Sequence, residues 1–393
     1  MIRPAPPAWS DDRPAGDRLA VALVACAVFL VAWGLVHRWF WAHGEIVDWP
    51  AYRDYGNAIR HGRVPYRDFG VEYPPGSLPV FALPSLLGTP YAETFAWLMA
   101  VCGVALVGVV AWLRPAAALY VGLAPVLAGS LILSRFDLWP ALLATASLAC
   151  LLKGRDRLGW ALLGAAVAAK LWPLVLVPPA LVWSLRRGRG RAALAGVALL
   201  VLVVVPFVLV APHGFWHSIE QQASRPLQIE SLGASVVTTF GHPHVATSHG
   251  SQNLTGHGAV GALSVLAQVV ALLALWLAFA RGAATPDRLV RYSAACTCAF
   301  VAFGKVLSPQ YLIWLVPLVP LVRGRRGLAA TGLLTAALVL TQVWFPQRYW
   351  RYVDAFRLAP VVLARDLVLV ALVAVLAWPQ TADLRNVDLD GHA

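Results

Sequence analysis

The chain has 393 residues, of which 59% are hydrophobic and 13% are charged, and its mean hydropathy is +0.68. Soluble globular domains carry about 25% charged residues, so this composition excludes an ordinary soluble protein. Apolar runs near the ~20 residues that span a bilayer indicate a polytopic membrane protein. The net charge of +12 is explained by basic cytoplasmic loops. Nucleic acid is not an expected partner, because no basic helix or RNA-binding motif accompanies the charge.

Ten apolar runs follow one another along the chain. The first comes after a polar, proline-rich start and lacks a small-residue cleavage site, so we expect a retained span and not a signal peptide. Short basic clusters separate several later runs: "LLKGRDRLG", "LRRGRGRAA", "RGAATPDRLVR" and "VRGRRG". The runs lie near residues 19–36, 91–113, 116–133, 138–152, 158–185, 192–211, 259–280, 291–322, 327–345 and 357–378.

Two of these runs, 158–185 and 291–322, have a basic cluster at both ends. If the clusters are cytoplasmic, each run must enter the membrane and return. Each contains a lysine followed closely by a proline, in "AAKLWP" and "FGKVLSPQY". The residue before a proline is disfavoured in a helix, which predicts breaks at Trp172 and Ser308. A single long span with a lysine at mid-membrane is the alternative, but we favour two hairpins with a lysine at each tip.

The hairpins predict an all-α fold with about twelve transmembrane helices and both ends of the chain in the cytoplasm. Two long outer segments, 37–90 and 212–257, then lie on the other side. Within the first, Ser77–Leu87 is too short to span the membrane, which predicts a re-entrant helix in the interface. The predicted division is an N-terminal cytoplasmic tail, one transmembrane domain and a C-terminal cytoplasmic tail: 1–18, 19–378 and 379–393.

Cations on the predicted outer side need an explanation, because positive charge is disfavoured there. The chain has three lysines against 28 arginines, and two of the three, Lys170 and Lys305, are at the hairpin tips. Snorkelling is the alternative for each lysine, and structural ion pairs are the alternative for "SRFDLWP" and "SRPLQIESLG". Arginine and lysine donors suit a phosphate or pyrophosphate. We therefore predict an outward-facing anion site lined by Arg135, Lys170, Arg225 and Lys305.

The first outer loop, "DWPAYRDYGNAIRHGRVPYRDFGVEYPPGSLPVF", resembles that of membrane glycosyltransferase family 87 of the C-type superfamily. So do "SRFDLWPALL", "AAKLWPLVLVPPAL", "RPLQIESLGAS" and "GKVLSPQYLIWLVPL", and together these motifs span residues 48–317. The resemblance implies an inverting hexosyltransferase at the outer face of the bacterial plasma membrane. It further implies a polyprenyl-phosphate sugar as donor, often polyprenyl-phosphate mannose, and a lipid or glycan acceptor.

The superfamily places a functional acid in the first outer loop. Asp48 matches this position, about a dozen residues past the predicted end of the first helix, and Asp54 and Glu72 are nearby alternatives. Inverting transfer needs a carboxylate that takes the proton of the acceptor hydroxyl and cations that stabilise the departing phosphate. Asp48 is therefore the expected base. The expected substrate-binding residues are Asp54, Tyr66, Arg67, Asp68, Glu72, Tyr73, Arg135, Asp137, Lys170, Arg225, Glu230, Lys305 and Gln310.

A secondary transporter or flippase for an anionic or lipid-linked solute is the main alternative function, since broken helices and midplane charges are also transporter features. Alternating access needs charges that both faces can reach, whereas these gather on one face. A hydrolase with paired carboxylates gains little from a dozen helices. We expect neither a metal nor another cofactor, because the spacing in the histidine-rich segment fits no standard metal site: His242, His244, His249 and His257.

Overall fold

The computed structural model describes residues 15–43 and 46–378. The expected C-terminal tail and most of the expected N-terminal tail therefore lie outside the described residues. The α-helices are α1 (Ala15–His43), α2 (Trp49–Arg60), α3 (Leu78–Leu86), α4 (Tyr91–Leu113), α5 (Pro115–Gly122), α6 (Ala124–Ala128), α7 (Leu131–Ser134), α8 (Leu138–Leu152), α9 (Asp156–Ala169), α10 (Val177–Arg186), α11 (Ala193–Val210), α12 (Pro212–Ala223), α13 (Leu232–Phe240), α14 (Gly258–Arg281), α15 (Pro286–Phe303), α16 (Gly324–Trp344), α17 (Tyr349–Ala355) and α18 (Ala359–Ala377). Short 3₁₀ helices cover Pro75–Ser77, Trp172–Leu176, Gly190–Ala192, Pro309–Trp314 and Val319–Leu321.

Six helices in the described part of the chain are long and apolar enough to cross a membrane. They are Gly16–Trp39, Tyr91–Leu113, Gly190–Val210, Gly258–Arg281, Gly324–Trp344 and Ala359–Ala377. Shorter apolar helices, Leu138–Leu152 and Pro309–Leu321, accompany them. The predicted run 116–133 is divided among α5, α6 and α7. The protein is thus a multi-pass, predominantly α-helical membrane protein.

The first hairpin is formed as the lysine–proline pattern predicts. Helix α9 has 14 residues and rises about 21 Å, less than the ~30 Å hydrocarbon core. It ends at Ala169, and Lys170 is extended, so the break comes two residues before the predicted position. Pro173 explains why α9 does not continue, since proline lacks an N–H and restricts the residue before it. After α10, Arg189 Nη1 lies 2.5 Å from Asp156 Oδ2 at the start of α9, which shows that the chain has returned.

The second hairpin has the same outline. Helix α15 ends at Phe303, and Ser308, before Pro309, is extended as predicted. The chain then runs back through 3₁₀ turns until Arg323, whose Nε lies 3.8 Å from Asp287 Oδ1 at the start of α15. Each hairpin therefore begins and ends at the same side of the molecule.

The basic clusters share that side. Arg114 Nη1 donates to the carbonyls of Pro320 and Val322, both at 2.8 Å, which joins the end of α4 to the end of the second hairpin. Arg186 donates to the Gly282 carbonyl, which joins the end of α10 to the end of α14. We call this end of the molecule the basic face; its clusters are 153–157, 186–191, 281–291 and 323–326.

The two outer segments are more ordered than loops. A short helix is present at the predicted residues as α3, and its place in the membrane interface stays a prediction. The second segment adds three strands that the sequence did not predict, β1 (Leu227–Gln228), β2 (Val245–Ser248) and β3 (Ser251–Leu254), in the order β1-β3-β2 with antiparallel pairing. The all-α prediction therefore holds for the bundle but misses this small sheet.

An aromatic cluster attaches the first outer segment to the bundle. Tyr52 of α2 stacks on Phe81 of α3, with ring centroids 4.5 Å apart, and Phe136 packs edge-on against Tyr73 at 4.8 Å. Tyr52, Phe81 and Phe136 are fully buried. Burial of rings this large is a major source of packing energy. The cluster therefore fixes the start of α2 next to the start of α8.

Candidate active site

A cavity of about 530 Å³ opens at the end of the molecule opposite the basic face. The first outer segment, both hairpin tips, the 225–230 segment, the β2–β3 turn and the 345–350 segment all line it. Nine of the fourteen predicted site residues contribute to its wall: Asp48, Glu72, Tyr73, Arg135, Lys170, Arg225, Glu230, Lys305 and Gln310. The structure thus brings together charged residues that are up to 257 positions apart in the sequence, from Asp48 to Lys305.

Asp48 precedes the first turn of α2, and its side chain is 34% exposed. Its Oδ1 forms an ion pair with Arg135 Nη1, and the Tyr52 hydroxyl donates to its Oδ2 at 3.4 Å. Helix α1 extends to His43, so Asp48 lies five residues past the helix and not the dozen that the sequence predicted. The carboxylate is oriented by two partners and remains accessible from the cavity.

The positive charge of Lys170 is neutralised by the carboxylate of Asp137. Its Nζ lies 2.7 Å from Asp137 Oδ1, and the two side chains are 13% and 1% exposed. The indole N–H of Trp314 donates to the same oxygen at 2.6 Å, and the Phe136 ring lies 4.6 Å from the ammonium. Trp172 stacks on Trp314 at 4.9 Å. Asp137, which is not part of the cavity wall, acts on the site through Lys170.

Lys305 and Arg225 differ from Lys170 in the partners of their charged groups. The half-buried Lys305 donates from Nζ to the Ala223 carbonyl at 3.0 Å, and Arg225 Nη2 donates to Ser251 Oγ at 3.1 Å. Among the described residues neither forms an ion pair with a carboxylate. Both cations keep charge that a ligand in the cavity can use.

Glu230 and Gln228 form part of the cavity wall, and they are only 2% and 3% exposed. Burial raises the pKa of the Glu230 carboxyl to about 7, and the nearby side chains of Tyr349 and Gln228 offset part of this rise. Arg365 Nη2 donates to the Glu230 carbonyl at 2.8 Å, and the Tyr352 hydroxyl donates to the preceding carbonyl. The segment is therefore rigidly placed. The sequence pointed to Glu230 but not to Gln228.

Four other predicted residues shape the first outer segment without reaching the cavity. The Tyr66 hydroxyl donates to the Tyr73 carbonyl at 2.6 Å. Arg67 Nε lies 2.9 Å from Asp68 Oδ1 at the surface, and this hydrogen bond lowers the pKa of Asp68 to about 2. Asp54 is 69% exposed and faces Arg53. These contacts place the four residues in the loop framework.

Most of the aromatic lining was not predicted from the sequence, with Tyr73 as the exception. Two of its residues, Tyr311 and Trp314, lie within the quoted motif "GKVLSPQYLIWLVPL", so the motif itself was the available signal. The aromatic and basic piece "QRYWRY" supplies Tyr349 and Trp350. The eight aromatic residues concerned are Tyr52, Trp172, Phe300, Tyr311, Trp314, Phe345, Tyr349 and Trp350.

Within the described residues, no three His, Cys, Asp or Glu side chains form a group that could hold a metal ion. His249 lines the cavity, whereas the ring of His244 lies beside Thr255. The chemistry that the described side chains offer is therefore a partly exposed carboxylate, two cations without acidic partners and buried hydrogen-bond acceptors.

Two protein-family models match this chain. The model of glycosyltransferase family 87 matches residues 72–309, and that of mannosyltransferase (PIG-M) matches residues 245–377. A search of curated proteins finds no match. Two crystal structures of ArnT from Cupriavidus metallidurans are similar. The one bound to undecaprenyl phosphate has 16% identity and a TM-score of 0.47, over 93% of this chain and 77% of that one. The apo structure has 15% identity and a TM-score of 0.48, over 90% and 76%.

The family 87 model covers 238 of 393 residues, from 72 to 309, which is more than half of the chain. The segment matched by the mannosyltransferase model overlaps it and extends to the end of α18. The chain belongs to glycosyltransferase family 87 and is a membrane glycosyltransferase with a mannosyltransferase segment.

Proposed function

We propose that this protein is an inverting hexosyltransferase that moves mannose from a polyprenyl-phosphate sugar to a lipid or glycan acceptor. The observation that carries the proposal is the cavity itself. It combines an oriented, accessible Asp48 carboxylate with Lys305 and Arg225, two cations that form no ion pair with a carboxylate in the part of the chain that the structure describes. A base and an anion site are the two elements that glycosyl transfer from a phosphate requires.

In the proposed reaction the acceptor hydroxyl attacks the anomeric carbon from the side opposite the phosphate. The bond from that carbon to the phosphate oxygen breaks, and its electron pair remains on the phosphate. Asp48 takes the hydroxyl proton, a contribution that is typically ~10²–10⁴-fold for a positioned base. Lys305 and Arg225 hold the phosphate and stabilise its growing charge. Arg135, paired with Asp48, fixes the carboxylate between the two substrates.

We further propose twelve passes, in which the six long helices are joined by the broken and shorter ones. The basic face is then cytoplasmic by the positive-inside rule, and the cavity is at the outer face of a bacterial plasma membrane. In this arrangement residues 19–378 form one transmembrane domain with cytoplasmic tails, and the outer segments are 37–90 and 212–257.

Cysteine labelling tests the orientation. Thr247 lies on the exposed part of β2, and Arg157 is exposed at the basic face. In intact cells an impermeant thiol reagent should label Thr247→Cys but not Arg157→Cys, which should react only after lysis. The opposite pattern would invert the proposed topology.

Transfer itself is tested with purified protein in detergent micelles, where a transporter has no compartment to fill. We expect radiolabelled mannose to move from polyprenyl-phosphate mannose to an acceptor fraction extracted from the native membrane, with release of polyprenyl phosphate. Translocation of the lipid in vesicles without any transfer in micelles would instead establish the flippase or transporter alternative.

A further inference from the structure

Two buried oxygens on the cavity wall have no hydrogen-bond partner. They are Glu230 Oε2 and Gln228 Oε1, and each belongs to a side chain that is at least 97% buried. Both side chains line the cavity. Buried acceptors are rarely left unsatisfied, because the loss of their hydration costs free energy. A ligand in the cavity can therefore supply the hydrogen-bond donors that these two oxygens lack.

The two side chains are held in a fixed relation to each other. Gln228 belongs to strand β1 and pairs with Asn253 of β3, and Glu230 follows two residues later. Below them, Arg365 and Tyr352 donate to the carbonyls of Glu230 and Ile229, at 2.8 and 2.6 Å. An arrangement fixed from behind in this way loses little conformational entropy when a ligand binds.

The pair also lies beside the proposed phosphate site. The backbone N–H of Gln228 donates to the Lys305 carbonyl at 2.9 Å, so β1 is attached to the tip of the second hairpin. Arg225 lies three residues before Gln228 and lines the same cavity. In a polyprenyl-phosphate sugar the hexose is linked directly to the phosphate, so a phosphate held by Lys305 and Arg225 brings hexose hydroxyls next to this wall.

We propose that Gln228 and Glu230 accept hydrogen bonds from hydroxyl groups of the donor hexose and thereby select the sugar that is transferred. This inference rests on the proposed function and adds a pair of residues that recognises the sugar independently of the phosphate. A site built to bind hydroxyls discriminates strongly against a substrate that lacks one, because its buried acceptor then stays unpaired.

The test measures binding to purified protein in micelles with two probes, polyprenyl-phosphate mannose and sugar-free polyprenyl phosphate. Glu230→Met and Gln228→Met remove the acceptors with little change in volume. We expect either variant to bind the mannosylated lipid about 10- to 100-fold more weakly, the usual range for a lost hydrogen bond to a charged or buried group. Binding of the sugar-free lipid should change less than about twofold, which also shows that the variants are folded.

The control variant is Glu220→Met, the same substitution at an exposed position of α12 outside the cavity, and it should bind both lipids normally. Deoxy-mannose donors sharpen the result, because the analogue that wild type binds most weakly should lose no further affinity in the Glu230→Met variant. If both variants keep full affinity for the mannosylated lipid, the inference is wrong while the proposed function stands. If wild type binds neither lipid, both are wrong.

Discussion

The two hairpins carry the same sequence signal but place their lysines in opposite situations. Lys170 is surrounded by aromatic rings and paired at 2.7 Å with the buried Asp137. Lys305 is half-buried, and its Nζ donates to the backbone carbonyl of Ala223. One ammonium group is thus neutralised inside the protein, whereas the other retains charge for a ligand.

This difference shows that a lysine at a helix break does not define one role. A buried ion pair is retained at a high desolvation cost, and its removal from one side leaves an uncompensated charge. An ammonium group without a carboxylate partner can bind an anion instead. We therefore assign Lys170 to positioning the wall of the cavity and Lys305 to binding the donor phosphate, although the sequence predicted substrate binding for both.

The largest expected effect comes from Lys170→Met. It leaves the Asp137 charge buried without its partner, and we expect a loss of about 3–5 kcal/mol in the free energy of unfolding. Thermal unfolding in detergent, followed by tryptophan fluorescence, measures this. The double variant Lys170→Met/Asp137→Asn removes both charges, keeps an acceptor for Trp314 and should recover most of the stability. A fully stable single variant would make the two hairpins equivalent.

Asp48→Asn tests the cavity acid that remains accessible. The amide keeps the shape of the side chain but cannot take a proton, so we expect kcat for mannose transfer to fall by about 10²-fold or more. Donor affinity and thermal unfolding should stay close to wild type. If Asp48→Asn is active and Glu72→Gln is inactive, the base is in the "VEYPP" motif and Asp48 only orients Arg135.

Lys305→Met should act on donor binding without acting on the fold. Loss of one charge-assisted hydrogen bond predicts roughly a tenfold rise in Kd for polyprenyl phosphate, with an unchanged unfolding temperature. The matched control is Lys153→Met, the same change at the chain's other lysine, which lies at the basic face. A destabilised Lys305→Met with normal affinity would reverse the assignment of the two hairpins.

Asp54→Asn should have the smallest effect. The side chain is 69% exposed and faces Arg53 at 3.4 Å, and exposed pairs contribute little to stability. Transfer activity should remain within about twofold of wild type. The unfolding temperature should equal that of wild type within experimental error. A large loss of activity would mean that the acceptor extends over the outer surface of α2.

Much of the fold could be predicted from sequence patterns that act over short distances along the chain. Apolar length, basic clusters and the two lysine–proline breaks predicted both hairpins and the short helix α3. The β-strands were missed because β1 has two residues and pairs with a strand about 27 positions away, as Leu227 does with Leu254. Such pairing leaves little local signal.

The site was predictable as a set of charges but not as a set of contacts. Composition cannot show that Asp137 neutralises Lys170, or that Lys305 forms no ion pair with a carboxylate in the described part of the chain. Both facts depend on tertiary packing. Tyr66, Arg67, Asp68 and Asp54 share a motif with Glu72 and Tyr73, and only the folded loop separates the framework from the cavity wall. Gln228 lies within the quoted motif "RPLQIESLGAS", but nothing in the motif distinguishes this glutamine from its neighbours.

Helices α9 and α15 both end at the cavity, and the carboxyl end of a helix carries roughly half a negative charge. Part of the positive potential of each tip lysine is offset there. The four cationic side chains at the site also face four carboxylates, those of Asp48, Glu72, Asp137 and Glu230. Because the pKa of Glu230 is about 7, this carboxyl is partly protonated at neutral pH, and the formal charge of the region lies between zero and +1 before a ligand binds. A phosphodiester with a single negative charge suits such a cavity, whereas the two charges of a nucleoside diphosphate sugar would leave one without compensation.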